Sequence, residues 1–327
     1  MSSHRPTQQP NPLVDPPDFV SKFLAHDRED RDEIITSVQA YFLAHWDWPS
    51  PTRKAWYSKA DLEDWTTLMC PAGPSERAWA FTAYVTFWFL YDDLMEIMGP
   101  EELGSSIPRI ARILHGEEGL EDMTTPEFIL KEICLKINTI APGKRIFEAT
   151  LVYMKAATAK QERLQSLTLG FDAYLKYRML DAACWLTLEG AYWVQEITIP
   201  EHLKTEKIWL LQELSLFHGI LINDLFSYRK EVKASSQEVQ DHDKTLYNGL
   251  VILMQSYQFT LLEALEEMKK KIWDYEDEFM AVLDDVRETH KSSAEDREFI
   301  ERLAVALMDV IGGNVAWSAC CGRYNRL

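Results

Sequence analysis

The segment FWFLYDDLMEIM, residues 87–98, places two adjacent carboxylates at the end of a run that otherwise predicts a buried helix. On a helix, Asp92 and Glu96 lie one turn apart on the same face, where like charges repel each other. Burying an unpaired carboxylate is also costly, because the charge loses its hydration. Asp92 and Asp93 must therefore either lie in solvent or meet a cation.

A second acidic group with a similar pattern provides an internal comparison. Asp284, Asp285 and Glu288 form DDVRE within a run rich in Lys, Glu and Asp, where exposure to solvent accounts for the charges. Asp92 instead follows the apolar run AFTAYVTFWFLY, which predicts partly dry surroundings. The sequence therefore favours a solvated face for DDVRE and a cation-binding role for DDLME.

A third segment, LINDLFSYRKE, carries oxygen donors of three kinds. Asn223, Ser227 and Glu231 recur every four residues, so an amide, a hydroxyl and a carboxylate share one stripe of a helix. Such donors suit a hard divalent cation such as Mg²⁺, which completes its coordination with water and phosphate oxygens. Either acidic segment alone could be an ordinary polar face, but together they predict a metal site between two helices.

The overall charge limits the classes of ligand. The chain has 327 residues, of which 34 are Lys or Arg and 52 are Asp or Glu, giving a formal charge of −18. This excess repels nucleic acids and anionic lipids, so we expect no nucleic-acid partner. A phosphate-bearing substrate would need local cations, supplied by metal ions or by a few placed Arg and Lys residues.

Cysteine usage and the terminal segment predict an intracellular, soluble protein. The five cysteines are an odd number without CxxC spacing, which is typical of free thiols in a reducing compartment. Residues 1–16 are polar and rich in proline, and we expect a flexible tail without the apolar core of a signal peptide. The longest nearly uncharged apolar run, residues 78–91, is shorter than the roughly 18 residues of a membrane span, so we expect no stable membrane insertion.

The remainder of the chain, residues 17–327, has helical periodicity nearly throughout. Apolar residues recur at intervals of three and four, and no segment has the alternation of a strand. There is no GxGxxG motif and no P-loop. Proline, glycine and polar clusters predict breaks near residues 49–51, 71–74, 99–106, 142–143, 200 and 232–243. These breaks divide the chain into about ten helices. We predict a single all-α domain.

Together, the two motifs resemble those of class I terpene synthases of the single-domain microbial type, over roughly residue 55 to the end. In that family, a DDxxD or DDxxE motif and an NDxxSxxxE motif face each other across an all-α helical barrel and hold three Mg²⁺ ions on a substrate diphosphate. The matching residues are Asp92, Asp93 and Glu96 in the first motif and Asn223, Asp224, Ser227 and Glu231 in the second. Glu96 replaces the commoner third Asp, which leaves open whether that position binds metal.

The resemblance also implies roles for basic and neighbouring residues. Arg178 precedes Asn223 by 45 residues, at the position of the family's diphosphate-sensing arginine. Asp181 then matches the linker residue, and Ala182 the residue whose backbone carbonyl is called the effector. Lys230, Arg323 and Tyr324 match residues that contact the diphosphate. With Asp93, the residues Arg178, Asp181 and Ala182 are the predicted catalytic set.

The implied reaction begins by ionisation, since the DxDD motif of protonation-initiated cyclases is absent. The metal ions and basic residues would neutralise charge on the leaving diphosphate, and the allylic bond would break heterolytically. The resulting carbocation would require a dry cavity with aromatic walls, whose faces stabilise cations. Candidates for these walls are Trp65, Trp88, Phe89 and Trp317.

We expect farnesyl diphosphate as substrate and a cyclic sesquiterpene, hydrocarbon or alcohol, as product, made by a cytoplasmic monomer or homodimer of fungal or bacterial type. One alternative is geranylgeranyl diphosphate as substrate. A chain-elongating prenyltransferase fits less well, because such enzymes carry a second DDxxD where this chain has NDLFS. A catalytically silent helical scaffold or binding protein is the alternative of a different class. We also expect the polar stretch 233–243 and the C-terminal tail to close over bound diphosphate.

Overall fold

A computed structural model of the chain describes residues 16–95, 97–117, 119, 121–237 and 246–325. Over these residues the chain forms fifteen α-helices and one short 3₁₀ helix at Glu201–Leu203, without any strand. The predicted all-α fold is therefore confirmed. Most of the predicted tail, residues 1–16, lies outside the described part, so the boundary between tail and domain stays a prediction.

The α-helices run, in chain order, over Arg31–His45 (α1), Pro51–Tyr57 (α2), Leu62–Met69 (α3), Ser75–Met95 (α4), Pro100–Leu114 (α5), Thr125–Ile140 (α6), Lys144–Thr158 (α7), Lys160–Thr168 (α8), Phe171–Asp181 (α9), Cys184–Val194 (α10), Glu206–Gln237 (α11), Gly249–Tyr257 (α12), Leu261–Thr289 (α13), Ala294–Cys320 (α14) and Gly322–Asn325 (α15).

Local sequence explains where several helices begin. Thr124 accepts a hydrogen bond from the Glu127 backbone N–H, and the Glu127 carboxylate accepts one from the Thr124 backbone N–H, which forms a capping box at the start of α6. Thr260 and Glu263 form the same arrangement at the start of α13. These reciprocal bonds satisfy N–H groups that have no partner within the helix.

Three of the predicted breaks, at 71–74, 142–143 and 200, fall between helices, and the break at 49–51 overlaps the start of α2 at Pro51. The break predicted at 99–106 is wrong over most of its length. Pro100 is the first residue of α5, a position where the missing N–H costs nothing, so the proline starts a helix there. The break predicted at 232–243 begins too early, because α11 continues to Gln237; residues 238–243 lie outside the described part.

The described helices also outnumber the predicted ten, because several breaks occur without proline. Gly170, Ala183 and Gln258 each adopt a positive φ at a helix boundary. For Gly170 this conformation is accessible without strain, whereas Ala183 and Gln258 adopt it against their intrinsic preference. Sequence periodicity does not reveal these boundaries, because the residues on both sides continue a helical pattern.

The three longest helices, α11, α13 and α14, pack against one another. α11 packs against both α13 and α14, while α3 packs between α4 and α14. Close approach on α14 depends on two glycines. A Cβ on Gly313 would lie 2.3 Å from the Leu68 carbonyl oxygen, and one on Gly312 would lie 2.5 Å from that of Leu24. Side chains there would push α3 and the N-terminal segment away from α14.

The segment that precedes α1 is attached to the fold more firmly than the sequence suggests. Phe19 stacks on Trp273 at 5.6 Å between ring centroids, and Phe23 meets Phe279 edge-on at 5.5 Å. His26 Nδ1 lies 2.7 Å from Asp309 Oδ1 on α14. These contacts anchor the N-terminal segment against α13 and α14, on helices that also support the centre of the molecule.

One stretch, Ala294–Asn325, is long and apolar enough by composition to cross a membrane. This stretch is longer than the run 78–91, from which no membrane span is predicted. In the fold, 67% of the most apolar window of this stretch is buried inside the protein. Its apolar surface is therefore explained by core packing of α14.

All five cysteines are free, as predicted. Four of the thiols are buried and Cys320 is exposed. Burial in apolar surroundings raises the pKa of the Cys70 and Cys184 thiols to about 12, so both remain protonated. They act as small core side chains.

Candidate active site

A cavity of about 620 Å³ is lined by residues of α3, α4, α5, α7, α8, α9, α10, α11, α14 and α15. It combines charged or polar side chains with aromatic ones. The predicted site residues that line it are Trp65, Trp88, Phe89, Asp92, Arg178, Asp181, Ala182, Asn223, Ser227, Lys230, Glu231, Trp317, Arg323 and Tyr324. The fold thus brings together residues from both motifs, the basic set and all four aromatic candidates. Glu96 lies outside the described residues.

Asp92 lies in the last turn of α4, where the buried helix reaches the cavity. The Tyr153 hydroxyl, from α7, donates a hydrogen bond of 2.9 Å to Asp92 Oδ1. Tyr153 is itself buried and lines the cavity. The sequence does not predict this residue as part of the site, because nothing in the local pattern of α7 indicates that Tyr153 faces Asp92.

Asp93 has different surroundings from those that its motif suggests. It is absent from the cavity lining and forms two ion pairs with guanidinium groups. Arg53 Nη2 lies 2.7 Å from Asp93 Oδ2, and Arg323 Nη2 lies 3.4 Å from Asp93 Oδ1. Only 12% of the Asp93 side chain is exposed, so the two cations offset most of its charge locally. Arg53, on α2, was not predicted.

The second motif lies on α11, where the four-residue spacing places its donors on one face as predicted. The Ser227 hydroxyl donates to Glu231 Oε1 at 2.6 Å. One turn earlier, Asn223 Nδ2 donates to the Tyr324 hydroxyl at 2.6 Å. These bonds hold the donors of α11 toward the cavity and tie them to the C-terminal helix α15.

Asp224, the second residue of the NDxxS motif, is buried and absent from the cavity lining. Its Oδ2 accepts hydrogen bonds from the Tyr174 hydroxyl at 2.7 Å and from the Gly249 backbone N–H at 3.0 Å. Burial raises the pKa of Asp224 to about 7, although Arg178 and Tyr174 oppose the shift. Asp224 Oδ2 therefore joins α11 to α9 and α12, while Oδ1 accepts no hydrogen bond from the described residues and lies 4.0 Å from Arg178 Nη2.

Arg178 connects the predicted sensor and linker residues to the second motif. Its Nη1 donates to Asp181 Oδ1 at 2.9 Å, and its Nη2 approaches Asn223 Oδ1 at 3.5 Å. Burial raises the pKa of Asp181, and the nearby Arg178 and Arg163 guanidinium groups oppose that shift. Between α9 and α10, Ala183 adopts a φ of +56°, so the helix breaks next to Ala182 at the cavity wall.

The aromatic wall is built from α3, α4 and α14. Phe89 stacks on Trp317 at 5.8 Å between centroids, and Trp65 meets Phe89 edge-on at 5.6 Å. The Trp65 indole N–H donates to Asn314 Oδ1 at 3.0 Å, while the Trp317 indole N–H donates to the Asp61 carbonyl at 2.5 Å. Satisfied N–H groups fix the orientation of both rings and leave their aromatic surface for the cavity.

Arg323, in α15, is held against the connection between α2 and α3. Its backbone N–H donates to the Ala60 carbonyl at 3.1 Å, and the preceding Gly322 N–H donates to Asp61 Oδ2 at 2.8 Å. The Arg323 guanidinium carbon lies 5.3 Å from the centre of the Phe89 ring, within cation–π range. A cation at the cavity thus contacts both the first motif and the aromatic wall.

The donor set fits a hard divalent cation. Asp92 and Glu231 supply carboxylates, Asn223 an amide oxygen and Ser227 a hydroxyl, and all four line one cavity. Among the described residues no group of three or more His, Cys, Asp and Glu could hold a metal by protein ligands alone. A set with few carboxylates suits Mg²⁺, which retains waters and takes substrate phosphate oxygens as ligands.

A family model and an individual fungal protein both match more than half of this chain. The family model described as terpene synthase family 2, C-terminal metal binding, matches residues 83–278, more than half of the chain. The chain is similar to (+)-aristolochene synthase TS1 of Penicillium expansum, with 25% identity over 301 residues that cover 90% of this chain and 87% of that protein.

Solved structures share the fold. The crystal structure of aristolochene synthase from Penicillium roqueforti matches with a TM-score of 0.72 at 20% identity, covering 94% of this chain and 100% of that one. Germacradien-4-ol synthase from Streptomyces citricolor matches with a TM-score of 0.75 at 16% identity, covering 93% of this chain and 100% of that one. At these identities, the two structures establish a common all-α architecture.

Proposed function

The chain belongs to terpene synthase family 2, and we propose that it ionises and cyclises a linear prenyl diphosphate, releasing inorganic diphosphate. The proposed substrate is farnesyl diphosphate and the proposed product a cyclic sesquiterpene. One observation carries the proposal. A single cavity is lined by oxygen donors from two helices, by Arg178 and Arg323, and by stacked aromatic rings. Similarity to an aristolochene synthase over nine tenths of the chain supports the C15 substrate.

The basic residues of the cavity would bind the diphosphate. Arg178, Lys230 and Arg323 supply positive charge, and the Tyr324 hydroxyl supplies a further hydrogen-bond donor. In a protein with a formal charge of −18, these local cations are what allows an anionic substrate to approach. Arg178 would also sense the substrate, because its guanidinium lies between Asp181 and Asn223.

The family binds divalent metal, and we propose that here it is Mg²⁺, with three ions. Asp92 on α4 and Asn223, Ser227 and Glu231 on α11 would hold them. Bound Mg²⁺ would stabilise the negative charge that builds on the departing diphosphate. Asp93, held by two arginines, is assigned a positioning role toward Arg323. Metal binding by Glu96 stays an open question.

The aromatic wall would shield the carbocation. Trp65, Trp88, Phe89 and Trp317 expose aromatic surface to the cavity, and each ring face can contribute up to about 2 kcal/mol to a desolvated cation. Exclusion of water by these side chains would prevent early quenching. The Ala182 carbonyl, beside the helix break, is the proposed effector.

Free cysteines and family membership support a cytosolic enzyme, and assembly as a monomer or homodimer stays a prediction. Closure over diphosphate also stays a prediction, since most of the stretch 233–243 lies outside the described residues. Limited proteolysis with and without Mg²⁺ and diphosphate would test closure, and equal cleavage rates in both conditions would count against it.

The proposed reaction is tested by incubating the purified protein with Mg²⁺ and either farnesyl or geranylgeranyl diphosphate, followed by gas chromatography with mass spectrometry. We expect a cyclic C15 product from farnesyl diphosphate, and its loss in Asn223→Ala. A product from geranylgeranyl diphosphate alone would correct the chain length to C20. Absence of product from both, together with absence of diphosphate binding, would favour the scaffold alternative.

A further inference from the structure

Asn248 is a fully buried polar residue that immediately precedes α12. All of its side-chain hydrogen-bonding groups point to defined partners. Oδ1 accepts from the Leu250 backbone N–H at 2.9 Å. Nδ2 donates to the Asp224 backbone carbonyl at 3.0 Å and to Glu231 Oε2 at 3.1 Å. The oxygen end of the amide therefore caps α12, while the nitrogen end reaches α11.

The contact with Glu231 completes a pair of donors on one carboxylate. Ser227, one turn earlier on α11, donates to Glu231 Oε1 at 2.6 Å, and Asn248 donates to Oε2. A glutamate side chain has several rotatable bonds and loses rotamer freedom when it must hold one position. Two donors on opposite oxygens restrict the Glu231 carboxylate to a single orientation at the cavity.

We propose that Asn248 is a positioning residue for Glu231, and through it for the metal-binding donors of α11. This inference rests on the proposed function, in which Glu231 binds metal. Hydrogen bonds from neighbouring groups orient metal-binding side chains, and losing such a partner typically lowers metal affinity or activity by about tenfold to 100-fold. Asn248 contributes from the N-cap of α12, so the orientation of Glu231 depends on how α12 docks on α11.

The next residue secures that docking. The Gly249 backbone N–H donates to Asp224 Oδ2 at 3.0 Å, and a Cβ at Gly249 would lie 2.8 Å from the same oxygen. Asp224 thus binds the start of α12 through both its carbonyl and its carboxylate. This accounts for an aspartate in the second motif that does not face the cavity, because its partner is the segment that carries Asn248.

If Asn248 acted only as a helix cap, through Oδ1, variants that keep the cap would leave Mg²⁺ binding unchanged. The positioning role uses Nδ2 instead, so substitutions that alter only one end of the amide separate the two roles. Asn248→Asp keeps the shape and the capping oxygen but removes the N–H donors and adds a carboxylate beside Glu231. Asn248→Ser keeps a good capping group but is too short to reach Glu231. Both variants should retain α12 and lose the orientation of Glu231.

The test measures Mg²⁺ binding in the presence of inorganic diphosphate by isothermal titration calorimetry, together with kcat and KM at varied Mg²⁺ concentrations. For both variants we expect Mg²⁺ affinity to fall about tenfold to 100-fold. We expect kcat to recover toward the wild-type value at saturating Mg²⁺. Asn138→Asp is the matched control, since Asn138 accepts a hydrogen bond from the Gly143 N–H outside the cavity. This control should leave the Mg²⁺ requirement unchanged.

Three results would overturn the inference in distinguishable ways. Wild-type Mg²⁺ affinity in both variants would reduce Asn248 to a helix cap. A lower melting temperature with activity that excess Mg²⁺ does not restore would indicate a structural role only. If the wild-type protein itself binds no Mg²⁺ with inorganic diphosphate, the proposed function fails and the role of Asn248 fails with it.

Discussion

The two acidic segments of this chain, DDLME, which begins in the last turn of α4, and DDVRE on α13, have similar sequences, but their described residues have opposite surroundings. The Asp93 side chain is 12% exposed and paired with two arginines, whereas the Asp284 side chain is 70% exposed and contacts Arg287 on its own helix. Asp92, beside Asp93, lines the cavity. The difference shows that an acidic motif acquires chemical meaning from the elements packed around it.

A third carboxylate extends the comparison. Glu63 on α3 is fully buried and does not line the central cavity, and its Oε1 accepts a hydrogen bond from the Tyr57 hydroxyl. Burial raises the pKa of Glu63 to about 7. The same functional group is therefore solvated in DDVRE, paired with cations at Asp93, and held partly protonated at Glu63.

The largest expected effect separates the two acidic segments by activity. Asp92→Asn removes a proposed metal-binding charge, and we expect turnover of farnesyl diphosphate to fall by about 100-fold or more, as for the loss of other groups that stabilise transition-state charge. Asp284→Asn removes a solvated charge and should leave turnover within about twofold. Steady-state diphosphate release measures both variants, and equal losses would remove the distinction between the segments.

A second prediction concerns stability at Glu63. The pKa of Glu63 is higher in the folded protein than in the unfolded chain, so between pH about 4.5 and about 7 the folded protein holds a proton that the unfolded chain has released. The contribution of Glu63 to the unfolding free energy therefore decreases as the pH rises through this window. Glu63→Gln keeps an acceptor for Tyr57 and carries no charge, so its unfolding free energy should vary less over this window. Urea denaturation at several pH values provides the measurement. Parallel pH profiles for the wild-type and variant proteins would show that Glu63 does not titrate in this window.

The smallest effect is expected at the ion pair between Arg53 and Asp93. Arg53 is 45% exposed, and partly exposed ion pairs contribute about 0.2 to 1 kcal/mol. In Arg53→Ala, Arg323 would be left as the partner of Asp93, and less of its charge would then be available to the substrate diphosphate. We therefore expect KM to rise by about twofold to fivefold. When Arg53→Ala is added to the Asp93→Asn variant, KM should not rise further. Additive effects of the two substitutions would show that Arg53 acts independently of Asp93.

Much of the fold could be predicted because its signals are local. The spacing of Asn223, Ser227 and Glu231 predicts one helix face, and α11 places those donors on the cavity. The apolar run before Asp92 predicts a buried helix, and α4 is buried over most of its length. These patterns extend over a few turns, which is the range over which helical periodicity determines structure.

The rest depends on contacts between residues that are distant in sequence. Tyr153, Arg53 and Asn248 reach the motifs from other helices, and nothing within α7, α2 or α12 indicates those partners. The break at Ala183 could not be predicted either, because alanine favours helix and nothing in the local sequence indicates its positive φ. Such features follow from how the helices pack together.

The most direct test is whether Mg²⁺ and inorganic diphosphate together stabilise the protein through Asp92. With diphosphate at about a hundredfold excess over its dissociation constant, we expect the wild-type protein to gain about 2.7 kcal/mol of unfolding free energy. Asp284→Asn should gain as much, and Asp92→Asn should lose most of the gain. Equal stabilisation of all three proteins, or of none, would contradict the assignment of Asp92 to a cation-binding site.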